Sequence, residues 1–367
     1  MTSRWGPPPD SELGAALRTI VNIQAFEFDE LHVDWGDIVL AAIGWGEWQL
    51  LERSLAEGLA CFDAAKDGSE QLDPEWLRAA VVTFRRARGL VAGDEYLAWL
   101  SERSLSPSDL EAHLARAGLR ERAPERLGDA LEADRPDADR ITMAIRAEAI
   151  LSGSLRTWAE RLARCAAAAR GLAAGTDEPP GLAVGADAAL LVDAAARCPS
   201  SGLNAAGARQ RAAAVTALLG AERTFFDRVI TGERVERCLA HHRLDWQRFV
   251  WEEVAFASEG AAREASLLVR SDGMALGEVA GLARTVAEIR EAYADDVPEL
   301  AGLLAATAPG ELVGPLAGDW GWRLLRMRER TPPAVSDPVL RERAHGEIVG
   351  DALERHLAGR VRRHGEL

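Results

Sequence analysis

Lysine is almost missing from this chain. Lys66 is the only one in 367 residues, so nearly all of its positive charge is arginine. With so much alanine and glycine beside it, this bias points to coding-sequence base composition and carries no nucleic-acid inference. The formal net charge of −15 argues against the cationic face that a duplex binder needs. No run of about 18 or more apolar residues occurs. The N-terminus, "MTSRWGPPPDSELGAALRTIV", has a proline run where a signal peptide would have an apolar core. A soluble, cytoplasmic protein without a membrane partner is therefore expected. Cys61, Cys165, Cys198 and Cys238 are far apart, with no CxxC or other metal spacing, and read as small buried hydrophobes with reduced thiols. No Walker loop, GxGxxG or GxSxG occurs, which leaves nucleotide, dinucleotide and serine-hydrolase chemistry without support, and no cofactor is expected. His241 and His242 are adjacent, His356 and His364 lie more than two helical turns apart, and no HExxH appears, so no metal is expected.

What is present is mostly helical periodicity. Apolar residues recur at three- and four-residue spacing from Ile38 to Ala65. "LDPEWLRAAVVTFRRARGL" opens on Asp73 as N-cap with Pro74 behind it, and "SPSDLEAHLARAGL" repeats the device with Ser106, Pro107 and Asp109. A charged, proline-bearing stretch, "ERAPERLGDALEADRPDADR", marks a boundary. Helix returns in "ITMAIRAEAILSGSLRTWAERLARCAAAARGL". A Gly-, Pro- and Ser-broken connection with one short helix follows, then more helix up to Trp246. From there the pattern changes. "FVWEEVAFAS" is a strand, two helices follow, "RTVAEIREAYADD" reads as a loop, and "PELAGLLAATAPG" is a helix before the strands "ELVGPLA" and "WGWRLLRMRE". A final helix, capped by Asp337 and Pro338, carries an apolar stripe from Leu340 through Ala344, Ile348, Leu353 and Leu357 to Val361. That stripe is too long for the small α+β region to cover, so it is expected to fold back on the N-terminal helices.

Two local features suggest binding. Eleven tryptophans against two tyrosines is unusual, and "GWGEWQLLERSL" sets Trp45 and Trp48 three apart on one helical face. With Trp76 they are read mainly as core and secondarily as an apolar surface for a client peptide. "FEFDELHVDWGD" surrounds His32 with Glu27, Asp29, Glu30, Asp34 and Asp37. It reads as a solvated acidic turn or, if functional, as a dock for a basic or extended peptide.

Residues 246–333 resemble the PpiC/parvulin-type prolyl isomerases. "VPELAGLLAATAPGELVGPLA" lies over a helix and strand of that family, "WGWRLLRM" over its closing strand and "DGMALGEVAGLA" over a helical turn. In such enzymes a histidine pair and a Cys or Asp surround the prolyl carbonyl. Here the first histidine position falls on Glu253 and the second on Arg323, the loop bearing the Cys or Asp is collapsed, and the aromatic floor becomes Leu300 and Leu304. A carboxylate and a guanidinium would wet and charge a pocket that must lower a barrier of about 18–20 kcal/mol while dry. The isomerase reading therefore loses, and a Glu253–Arg323 charge pair with some bidentate character is expected instead.

The stretch "LRAAVVTFRRARGLVAGDEYLAWLSERSLSPSDLEAHLARAGLRER" resembles the N-terminal helical module of SurA-type chaperones, and the whole order resembles peptide maturation system proteins. The resemblance implies a mainly α protein: a SurA-like helical domain over 1–125, a second helical segment over 126–245, a degenerate parvulin-like domain over 246–333 and a C-terminal helix over 334–367 that packs back on the helical part. It further implies a peptide-binding chaperone or adaptor in the maturation of a ribosomally synthesised, post-translationally modified peptide. Its partners would be the precursor peptide and peptide-modifying enzymes. The alternative is an enzyme acting on that peptide, as a residual isomerase or through another activity in the helical part. Candidate peptide contacts are Trp45, Trp48, Trp76, Leu300, Leu304, Arg323 and Glu253. Trp320 and Trp322 share one face of their strand, which would turn Arg323 to the other and favour the helical domain as the client surface.

Overall fold

The computed structural model describes residues 24–67, 73–122, 136–174, 184–318 and 321–363. The N-terminal proline run, most of the charged boundary stretch, the Gly/Pro-rich part of the connection, Trp320 and His364 lie outside these residues. The described chain is mainly α, with small antiparallel sheets. Among the described residues no helix is long and apolar enough to cross a membrane. Contacts group the chain into two units, Met1–Phe226 with Leu353–Leu367, and Asp227–Ala352. The grouping therefore cuts through the segments read as 126–245 and 334–367.

The first unit opens on a hairpin, β1 (Gln24–Phe28) and β2 (Leu31–Asp34). Asp34 and Asp37 then form a reciprocal capping box that starts α1 (Trp35–Gly44). Helix α1 is apolar on nearly every side and is buried, including Ile38, Leu40 and Ala42. Next come α2 (Glu47–Asp67), α3 (Pro74–Ala87), α4 (Gly93–Glu102), α5 (Pro107–Arg122), α6 (Ala138–Leu151), α7 (Ser154–Ala173), α8 (Val184–Ala196) and α9 (Ala205–Val229). The alanine-rich face of α7, Ala159 to Ala168, packs closely against α1 because it carries so little side-chain bulk. The expected caps are present. Asp73 accepts from the amide of Glu75, and Ser106 and Asp109 exchange backbone-to-side-chain bonds.

The acidic segment at His32 is this hairpin, and its carboxylates are held within the chain. Arg211 grips Asp34 with two nitrogens, at 3.2 and 2.6 Å. Arg170 and Arg360 both reach Asp29. The strand β7 (Val361–Arg363), basic in sequence, pairs antiparallel with β1. The chain's own C-terminal segment thus pairs with the acidic segment that the sequence suggested as a dock for a basic or extended peptide.

The second unit begins with α10 (Gly232–His241) and centres on a four-stranded antiparallel sheet in the order β4-β3-β6-β5. Its elements run β3 (Arg248–Phe256), α11 (Glu259–Ser271), α12 (Leu276–Leu282), β4 (Ala287–Tyr293), α13 (Pro298–Ala306), β5 (Leu312–Gly318), β6 (Gly321–Thr331) and α14 (Pro338–Leu357). Alternation along β3 sends Val254 and Phe256 to the α11–α12 side, and Phe249 and Trp251 to the α13 side. The sheet is covered on both faces. "RTVAEIREAYADD", read as a loop, contains β4. Its apolar residues Val286, Ile289 and Tyr293 do not alternate strictly, so the period-two signal is weak.

Helix α14 is capped as expected, Asp337 accepting from the amides of Val339 and Leu340. Leu340 and Ala344 are buried in the second unit, and Leu353 onward belongs with the first. There the His356 ring meets Phe225 edge-on at 6.1 Å. The helix ends at Leu357, not at Val361, because Gly359 takes a left-handed φ of 71° and turns the chain into β7.

Candidate functional site

The α13 face of the sheet gathers four of the residues singled out from the sequence. Leu300 and Leu304 project from α13 into a cluster with Phe249, Trp251, Leu325 and Met327, and both are buried. They are core residues rather than the floor of an open pocket. Glu253 follows Trp251 by two positions on β3, and Arg323 precedes Leu325 by two on β6, so both face this side at the end of the cluster.

Glu253 and Arg323 are not directly opposite each other. Glu253 pairs with Leu325, and Arg323 with Ala255. The diagonal offset leaves a single contact, Arg323 Nη1 to Glu253 Oε1 at 3.9 Å, so the expected bidentate character is absent. The other carboxylate oxygen accepts from Trp251 Nε1 at 3.0 Å and lies 3.7 Å from Arg290 Nε. Arg323 Nε is buried without a hydrogen-bond partner among the described residues. Chemically this is a hydrogen-bonded carboxylate facing a guanidinium that cannot lose its proton. Trp322 turns to the opposite face, against the α11–α12 cluster, as the strand alternation requires.

The three candidate tryptophans of the helical unit lie on different elements. Trp45 and Trp48, expected on one helix, are divided by Gly46, whose φ of 77° breaks the segment into α1 and α2. Trp45 is half-buried beneath the guanidinium of Arg161, 4.2 Å from its ring centre. Trp48 is buried, tilted against Trp158 at 5.8 Å, and donates to Ser200 Oγ at 3.1 Å. Trp76 leans on Gly118 of α5, where an added Cβ would stand 2.2 Å from its ring. Trp48 is thus interior, while Trp45 and Trp76 are half-buried, Trp76 with the Arg122 guanidinium 5.0 Å from its ring centre.

One surface escaped the sequence reading. Strand β4 is an edge of the sheet, and its residues from Glu288 to Glu291 are all exposed. Ile289 is 63% exposed, close in sequence to Val286 at 72% and Leu282 at 67%. The opposite edge, β5, is interrupted by a register shift between Val313 and Leu316 and contains Pro315, which has no N–H to offer. The β-branched pair Val286 and Ile289, beside a run of charge, was the available signal. No protein-family model matches the chain, and no curated protein matches it.

Proposed function

We propose that this protein is a non-catalytic peptide-binding chaperone or adaptor, and that the outer edge of β4, unpaired among the described residues, takes an extended client segment as an additional strand. In this mode the unpaired backbone groups of an edge strand supply affinity and alternate side chains supply selectivity. The exposed, unbroken β4 edge, with Ile289 on the strand and Val286 just before it, carries the reading. The order strand, two helices, strand, helix, hairpin supports a degenerate parvulin-like ancestry for the second unit. Glu253 and Arg323 in place of an imidazole pair, with Leu300 and Leu304 buried as core, speak against retained isomerase activity. A ribosomally made precursor on its way to modification is the client class that the sequence resemblance suggests, with its modifying enzymes as further partners.

The test is binding of the full chain to an array of unfolded peptides, alongside cis/trans exchange of a proline tetrapeptide. The double change Val286→Asp with Ile289→Asp should weaken array binding at least about tenfold, roughly 1.4 kcal/mol. Exchange should stay at the uncatalysed rate. Loss of binding on Trp45→Ala or Trp76→Ala, with β4 changes silent, would move the site to the helical unit. Exchange above background that disappears on changing Glu253 or Arg323 would restore the isomerase.

A further inference from the structure

We propose that Cys238, His242 and Glu347 form a binding site for a divalent transition-metal cation of the zinc type. One ligand atom from each of these residues lies within 4.8 Å of the others. Cys238 and His242 are one turn apart at the end of α10, where the His242 amide still bonds the Cys238 carbonyl at 3.0 Å. This i, i+4 geometry puts thiol and imidazole on one helical face. Val235, Leu239 and Trp246 pack against Leu340 and Ala344, which brings α14 across that face and presents Glu347 to it.

The imidazole is already oriented for ligation. Nε2 points into the cluster, 2.8–2.9 Å from the two carboxylate oxygens of Glu347. Nδ1 faces away, 3.6 Å from Asp245 Oδ2. Trp246 stacks on the ring at 4.3 Å and 15°, fixing its plane. A metal-bound histidine commonly hydrogen-bonds a carboxylate through its second nitrogen, and Asp245 stands just beyond that reach. A tetrahedral ion with bonds of about 2.0–2.3 Å has donor–donor edges of about 3.3–3.8 Å, within a small side-chain adjustment of this cluster.

Electrostatics favours a cation at the same point. The Glu347 carboxylate stands in the same cluster as the Cys238 thiol. The nearest arginine along α14, Arg343, is turned to Asp295 and Asp296. A divalent cation takes a cysteine as its thiolate. The mixed sulfur, nitrogen and oxygen donors select a zinc-like ion over calcium or magnesium. Three protein ligands leave a fourth position for water. The site uses neither a histidine pair nor a CxxC. Cys-x3-His was the legible half, and Glu347 comes from more than a hundred residues away.

Reduced full-chain protein, stripped with a chelator, should bind one equivalent of cobalt(II) with a sulfur-to-cobalt charge-transfer absorption, and zinc(II) should displace it. Cys238→Ser should abolish that absorption. Glu347→Gln, on a partly exposed side chain that tolerates change, should weaken cobalt binding at least about tenfold. Failure of the wild-type chain to bind cobalt stoichiometrically would overturn the site. Cobalt binding that Glu347→Gln leaves unchanged, or a charge-transfer absorption that persists in folded Cys238→Ser, would overturn it equally.

Discussion

Replacing Glu148 with alanine should lower the stability of the helical unit by about 3–5 kcal/mol, the usual cost of stripping one partner from a buried ion pair. Glu148 stands on α6 with its side chain only 10% exposed. Arg116 Nη2 lies 2.7 Å from one of its oxygens and His113 Nδ1 3.0 Å from the other. Without the carboxylate, a guanidinium that is itself 9% exposed keeps its charge and loses its counter-ion. It has little room to reach water, because its Cβ lies where α2 and α5 touch at Gly58. Burial raises the Glu148 pKa, but His113 and Arg116 outweigh that effect and hold it below the ordinary carboxylate value. The unfolded chain therefore binds more protons than the native one in acid. The pair's stabilisation is complete above the unfolded carboxylate pKa and is lost as pH falls through the folded one. Urea melts of wild type and Glu148→Gln across the acid range should converge as pH drops. A Glu148→Ala protein within 1 kcal/mol of wild type, again on the scale for buried pairs, would refute the assignment.

Gly321→Ala should cost the second unit about 3 kcal/mol or more, through backbone strain and a clash that cannot relax. Gly321 opens β6 at φ 129°, a region open in practice to glycine alone. A Cβ there would stand 2.4 Å from the Phe256 carbonyl oxygen on β3. The obstacle is backbone, so the strands would have to part where β3 and β6 meet. Gly281→Ala is the control. It lies within α12 with nothing inside 4 Å of the added Cβ, and should stabilise by roughly 0.5–1 kcal/mol. Amide exchange across 248–256 and 321–331 separates the outcomes: faster exchange for Gly321→Ala supports the packing described, and unchanged exchange contradicts it.

Local chemistry was the legible part of this sequence. The caps at Asp73, Ser106 and Asp337 depend on residues within three positions of one another, and each appears where the side chains imply it. Contacts between distant segments were not legible. Glu253 and Arg323 fall on neighbouring strands as the resemblance suggests, but the register that makes their contact diagonal is set by a bulge between Val250 and Trp251. β4 escaped because an exposed edge strand need not show an apolar face. Trp45 and Trp48 were misjudged for a smaller reason: Gly46, with its positive φ, breaks a periodicity that looks continuous. Arg211 reaching Asp34 and Asp37, and Glu347 reaching His242, join segments that only the folded chain brings together.

The central claim is that this chain holds extended peptides on the β4 edge without turning over prolyl bonds. Hydrogen–deuterium exchange of the full chain, with and without reduced, carboxymethylated α-lactalbumin as a permanently unfolded client, tests it most directly. New strand hydrogen bonds would slow exchange at the outward amides of 287–293, while 74–122 of the helical unit would exchange as before. Client-induced protection confined to the helical unit, with none at 287–293, would contradict it.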